Sequence, residues 1–237
     1  MIARERAGDV EVLRLDRPQR RNAMDTALLE ALVGALGELA ADDALRAVVV
    51  STTDVRALSA GADGGEELDA AGGVQRMELF TALYAAVEAF PALTVAVCVG
   101  NCVGAGAELA AGCDLRVAGD NLKLAWAGAR HGVPVGPARL VGLVGLGRAK
   151  ELVLSGRVVG GEEARAIGCA GGLVPADRAE AHALEVAAAV GGETTEGIRT
   201  LKAMFRDLER TEARVAYENE RLLAFQREGA GLPQRRA

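Results

Sequence analysis

The sequence predicts an α/β fold: a parallel or mixed sheet covered by helices. Strand-like and helix-like segments alternate as far as residue 137, and only helical patterns follow, an order that implies a parallel or mixed sheet. The chain has 237 residues, long enough to bury one large core. Half of the residues are apolar and a quarter are charged, a globular composition rather than a disordered one.

In chain order, residues 9–15 (DVEVLRL) alternate apolar and polar, which predicts a half-buried strand. A basic loop, RPQRRN, follows. Asp25 can cap the next helix, whose apolar positions 28, 29, 32, 33, 36 and 39 form one stripe. Residues 46–52 (RAVVVST) read as a buried strand, and the loop after it ends in SAGAD at 59–63. A helix over 75–89 stops before Pro91. TVAVCV (94–99) is a second buried strand running into a Gly-rich turn and a short helix from Gly104. DLRVA (114–118) and LKLAW (122–126) read as two short strands. Helices are expected over roughly 139–154, 161–167, 177–190, 194–208 and 211–228. AGAD at 60–63 and AGAE at 105–108 each follow a Val-rich strand, a faint sign of one unit used twice.

Composition excludes several functions. A net charge of −6 and only 3% aromatic residues oppose nucleic-acid binding, which needs a basic face and stacking platforms. The four cysteines (98, 102, 113, 169) lack zinc-site spacing and are too sparse for a disulfide framework; buried thiols in a reducing, cytoplasmic setting are expected, with no metal. The N-terminal segment has no apolar run of the signal-peptide kind. Residues 89–107 carry no charge, but Pro91, Gly100, Asn101, Gly104 and Gly106 make them a strand, turn and helix start rather than a membrane span. No G-x-S-x-G elbow exists. The glycines at 142 and 147 are followed by Arg148 and Ala149, where a phosphate loop needs Lys and a hydroxyl. With only His131 and His182, acid/base work falls to a carboxylate.

Two Gly/Ala turns after buried strands can present backbone N–H groups at helix starts, which suit an oxyanion. Glu108 closes the uncharged stretch, and poor solvation there would raise its pKa. The same residues fit plain close packing, with Glu108 an exposed residue of a helix's first turn. These residues alone leave both readings open.

Longer segments resemble the crotonase family, the enoyl-CoA hydratases and isomerases: LDRPQRRNAMDTALLEAL (15–32), LRAVVVST…ALSAGAD (45–63), GAGAELAAGCDLRVAGDNLKLAWA (104–127) and RLVGLVGLGRAKELVLSGRVVGGEEARAIG (139–168). The resemblance implies a spiral of strand–strand–helix turns over 1–190 holding an acyl-CoA site. It also implies a C-terminal helical region, 191–237, that drives homotrimers or dimers of trimers. It implies acyl-CoA substrates, no membrane partner, and no cofactor beyond the CoA that the substrate carries. The thioester oxygen would sit between the N–H groups of Ala62 and Ala105, the second usually Gly in the family. Glu108 matches the first family glutamate, as catalytic acid/base. Arg17, Arg20, Arg21 and Ala60 match the CoA-binding segments. Asp63, next to the first donor, is expected to act as a helix cap.

The second hydratase glutamate would fall at Gly128, so its carboxylate is lost, and the loop GVPVGPARL is shorter than the family's usual version. Trp126, Arg130 and His131 flank that place and are possible pocket residues. One glutamate can still serve hydration, decarboxylation, thioester hydrolysis or carbon–carbon chemistry on an enolate. Other readings are a non-catalytic acyl-CoA binding protein and, through Ser59, a serine peptidase.

Overall fold

Three long strands of this fold are each followed by a short one, and the pairing of the two kinds builds the site. The computed structural model describes residues 1–190, 194–229 and 231–232. Its main sheet takes β1 (Ile2–Ala7), β2 (Val10–Leu15), β3 (Ala47–Thr52), β5 (Leu93–Cys98), β7 (Leu115–Gly119) and β9 (Gly172–Val174) in that order. Only the β1–β2 pair is antiparallel. A second, wholly parallel sheet holds β4 (Ala57–Ser59), β6 (Asn101–Val103) and β8 (Lys123–Ala125). The chain thus runs long strand, short strand, helix three times: β3–β4–α2 (Ala70–Glu88), β5–β6–α3 (Ala105–Gly112) and β7–β8–α4 (Pro137–Ser155).

Alternation along the central strands divides the core in two. Val48 and Val50 face a cluster with α1 (Thr26–Ala40) and α2, while Ala47 and Val49 face Ala179, Ala183 and Ala187 of α6 (Ala179–Ala189). Covered on both faces, such strands read as continuous apolar runs. β2 is covered in the same way and is almost wholly buried, not half-buried as its alternation suggests. Its Glu11 is buried against Arg4 of β1, 2.9 Å away.

The helical half follows the sequence closely: α5 (Gly161–Ala166), α6, α7 (Thr195–Glu209) and α8 (Thr211–Glu228) lie where expected. α4 spans a kink at Gly145, whose φ is 76°. Asp25 caps α1 by accepting from Leu28 N. The helix expected over 75–89 starts earlier, at Ala70, where Asp69 accepts from Gly72 N. Its first turns, AAGGVQ, contain two glycines, which hide the helical signal. Strand β1 is also unforeseen: IARERA is a charged edge strand without an apolar face. The domain boundary expected after 190 falls on 191–193, outside the described residues. Helix α8 packs on α2, and its Leu222 joins the main core. Residues 89–107 form the end of a helix, two strands and the start of α3; among the described residues no helix is long and apolar enough to cross a membrane. All four cysteines are free and buried.

Candidate functional site

The first donor segment is built by a buried side chain. Asn22 is fully buried with a left-handed φ of 52°; its Nδ2 donates to Thr52 Oγ1 (2.8 Å) and to the carbonyls of Ala57 and Leu58 (3.1 Å each). Ser59 Oγ donates to Asn22 O (2.7 Å) and accepts from Gly61 N (3.1 Å). Ser59 is therefore a fully buried turn anchor, not an accessible nucleophile. Met24 N then donates to Gly61 O, and Asp63 N donates to Met24 O. Both neighbours of Ala62 are pinned, while the Ala62 N–H has no acceptor among the described residues.

The second segment repeats the first in register. Ser59 pairs with Cys102 across β4 and β6. Two residues beyond each lies a glycine with positive φ: Gly61 at 98° and Gly104 at 53°. A Cβ on Gly61 would fall 2.9 Å from Val103 O, so only glycine fits this approach. Ala62 and Ala105 are the next residues. Ala105 is the first residue of α3, whose opening N–H groups have no acceptor within the helix. The repeat is thus real but displaced from the AGAD/AGAE match, which would pair Ala62 with Ala107.

Ala62 and Ala105 line a cavity of about 820 Å³. Ala60, Gly128, His131 and the exposed Arg20 and Arg21 line it too, as do Arg76, Met77, Phe80 and Tyr84 from one face of α2. Leu222 of α8 closes part of it.

Glu108 is placed differently. It is 1% exposed, which removes the reading of an exposed first-turn residue, and it does not line the cavity. Arg139 Nε donates to its Oε2 at 2.6 Å. Arg139 also bonds Glu218 of α8, approaches Glu88 at 3.4 Å, and lies over the Tyr84 ring at 4.5 Å. One buried cation thus faces three carboxylates. Burial pushes Glu108 up to about 7, against the pull of Arg139 and helped by the charge of Glu218. Burial likewise raises Glu88 to about 7. Glu108 Oε1 is buried without a partner, and so is the indole Nε1 of Trp126. Both side chains flank Gly136: a Cβ there would meet Glu108 Oε1 at 3.2 Å and Trp126 Cδ1 at 3.4 Å. The short loop before α4 covers the carboxyl, and its Val133 and Val135 form the cavity wall instead.

Residues 5–228 match the enoyl-CoA hydratase/isomerase family. The chain belongs to that family. It is 32% identical over 224 residues to the 2,3-dehydroadipyl-CoA hydratase of Escherichia coli, covering 90% of this chain and 85% of that one. Among solved structures, DspI of Pseudomonas aeruginosa matches with a TM-score of 0.81 at 28% identity over 94% of each chain. An enoyl-CoA hydratase from Bacillus anthracis matches with a TM-score of 0.79 at 25% identity over 98% of each. The strand–strand–helix turns are those of the enoyl-CoA hydratase/isomerase fold, as the resemblance implied.

Within this family member, several expected positions serve the scaffold. Arg17 does not line the cavity: its Nη1 donates to Asp63 Oδ2 at 2.5 Å, and Nη2 lies 3.0 Å from Asp25. Asp63 is not a helix cap; it accepts from Gly65 N (2.9 Å) and from Arg17. Burial works to raise its pKa, but those two hydrogen bonds outweigh it and hold the carboxyl below its ordinary value. Trp126 is buried behind the wall rather than in it, and Arg130 points away to the Ser155 carbonyl. A Cβ on Gly128 would lie 2.8 Å from Val135 Cγ1 and 3.2 Å from Val133 O, so the loop fills the space a longer side chain would need. Among the described residues no cluster of His, Cys, Asp and Glu side chains is arranged to hold a metal ion. Sequence reasoning missed Arg76, Tyr84, Glu88, Arg139 and Glu218. Glu218 and Arg139 are 79 residues apart, and YENERLL reads locally as a solvated helix face.

Proposed function

We propose that this chain is an enzyme acting on acyl-CoA thioesters, which it activates by holding the thioester oxygen between the N–H groups of Ala62 and Ala105. The supporting observation is the pair itself: two N–H groups unengaged among the described residues, each one residue beyond a positive-φ glycine that follows one of two adjoining parallel strands, open on one cavity. Moving a proton at the carbon beside the carbonyl passes through an enolate, whose charge collects on that oxygen. Preorganised donors stabilise this charge more than the ground-state carbonyl. Glu108 moves the proton. A carboxyl near 7 exists in both forms at neutral pH, as an acid/base catalyst needs. Its partnerless Oε1 is the atom free to act once the loop over 132–136 that covers it opens it to the cavity. Arg20 and Arg21, with Ala60, receive the CoA phosphates and adenosine end, a use suited to guanidinium groups. CoA enters as part of the substrate, and no separate cofactor is required.

A second reading concerns the reaction. Gly128 in place of a second carboxylate favours chemistry other than hydration on the enolate or thioester: decarboxylation, thioester hydrolysis or carbon–carbon bond making. For assembly, Leu201, Met204, Phe205 and Leu208 form an exposed apolar stripe on α7, Leu208 being 79% exposed. Such a stripe supports a homotrimer formed through the C-terminal region 191–237. The four buried thiols fit a reducing, cytoplasmic setting.

Incubation with a panel of acyl-CoAs, with products read by mass spectrometry, tests the reading. The expected result is turnover that falls about 100-fold or more in Glu108→Gln while thioester binding persists. Binding without turnover by the unaltered chain would make it a binding protein; full turnover by Glu108→Gln would remove the carboxylate from the chemistry.

A further inference from the structure

Arg76 is a charged cavity residue that the acyl-CoA reading leaves without a task. It is 2% exposed yet lines the cavity beside Met77, Phe80 and Tyr84 on α2. Its Nη1 donates to Asp63 O (2.8 Å) and to Glu66 Oε2 (3.0 Å). Its Nε is buried without a partner, and its Nη2 makes no hydrogen bond among the described residues. A buried guanidinium with idle donors carries a desolvation penalty that packing does not repay. A solely structural role, tying the 63–66 loop to α2, uses one nitrogen and leaves the rest of the fork idle.

The carboxylates nearby are already engaged. Asp63 is held by Arg17 and Gly65 N, and Glu66 also accepts from Thr26 N (3.0 Å). Arg76 holds the carbonyl of Asp63, the residue after Ala62, so its side chain lies next to the donor that would take the thioester oxygen. A guanidinium with two nitrogens to spare, on an otherwise apolar helix face, matches a planar anion.

We propose that the cavity takes acyl-CoA thioesters whose acyl group carries a carboxylate of its own, and that Arg76 holds that carboxylate. This rests on the acyl-CoA reading above. The carboxylate could be a branch at the carbon beside the thioester or the far end of a dicarboxylic chain. Both offer the same group to Arg76.

Titration calorimetry of the full chain with saturated thioesters separates these cases. The pairs are adipoyl-CoA against hexanoyl-CoA, for the chain-end carboxylate, and methylmalonyl-CoA against butyryl-CoA, for the branch. In at least one pair the carboxylated thioester should bind at least about tenfold tighter, the lower range for a hydrogen bond to a charged group. Arg76→Met should erase the preference, weakening carboxylated thioesters about tenfold or more relative to their uncharged partners. Equal affinity within both pairs, or a preference that survives Arg76→Met, would overturn the proposal. Should Arg76→Met fail to fold, Glu66→Gln removes the competing anion and keeps an acceptor for Thr26 N; the preference should then widen, and an unchanged ratio would count against Arg76. If no thioester of either kind binds, it is the acyl-CoA reading that fails.

Discussion

Ala62 and Ala105 reach the cavity through backbone N–H groups just beyond the ends of adjoining parallel strands. Glu108 reaches its place only because α2, α3, α4 and α8 bring Glu88, Arg139 and Glu218 around it. The first half of the site is made by local chain geometry: a positive-φ glycine, a turn, a helix start. The second is made by side chains distant in sequence, packed in a dry interior. A backbone donor survives almost any substitution at its own position. A buried charge cluster depends on its one cation, because removing Arg139 leaves three carboxylates without compensation.

The harshest way to break the comparison is to take out the cation. Arg139→Met leaves three carboxylates facing one another, and it should cost about 3–5 kcal/mol of stability, the range for breaking a buried pair. Denaturant unfolding measures it. Adding Glu108→Gln to Arg139→Met should restore part of the loss, since the two residues touch and their effects do not add. Additive losses would mean that the pair, at 2.6 Å, is not coupled.

Ala105→Pro attacks the other half and should act on rate rather than stability. Ala105 stands at the first helical position, where proline is well tolerated, and its N–H donates to nothing in the protein. Loss of one such donor lowers kcat by about 10²–10³-fold where it serves an oxyanion. Ala105→Ser retains the N–H and should stay close to the unaltered rate. If Ala105→Pro folds and turns over normally, the thioester oxygen is held elsewhere.

Legibility in the sequence follows the same division. The Gly/Ala turns, Asp25 and the apolar strands act within a few residues, so they can be read from local pattern. The exceptions on the backbone side are strands β1, β4, β6 and β9, which are short or charged and lack a periodic apolar face. On the side-chain side, Glu108 is legible because it ends a long uncharged stretch and matches the first glutamate of the family the chain resembles. Nothing near Arg139 or Glu218 in sequence distinguishes a buried pair from solvated helix residues. That Glu108 sits behind the cavity wall follows from the course of residues 132–136, a loop whose path depends on packing against Trp126 and α4. Arg76 escaped for a similar reason: it follows Gly72, Gly73, Val74 and Gln75 in a helix that starts earlier than its pattern suggests.

The gentlest test sharpens the comparison by asking whether α8 governs the acidity of Glu108. The groups around that carboxyl are Arg139 of α4, Glu88 and Tyr84 of α2, and Glu218 of α8. Burial raises Glu108 to about 7, Arg139 opposes, and Glu218 and Glu88 add to the rise. Glu218→Gln removes one like charge and keeps one acceptor oxygen, for Arg139 Nη2 or for Ala138 N, which bond different oxygens of the carboxylate. The Glu108 pKa should therefore fall. Where Glu108 must be ionised to act, the acidic limb of kcat/KM against pH should move lower by about half a pH unit. Stability gives an independent check of sign. A carboxyl whose folded pKa lies above its unfolded value near 4.5 binds its proton more tightly in the native state, so stability declines as pH rises from about 4.5 to about 7. In Glu218→Gln that window narrows, and the loss of Tm between pH 5 and pH 8 should be smaller than in the unaltered chain. A pH–rate profile and a Tm difference that both stay put would show that burial, Arg139 and Glu88 set the state of Glu108, and that α8 contributes packing but no charge to the site.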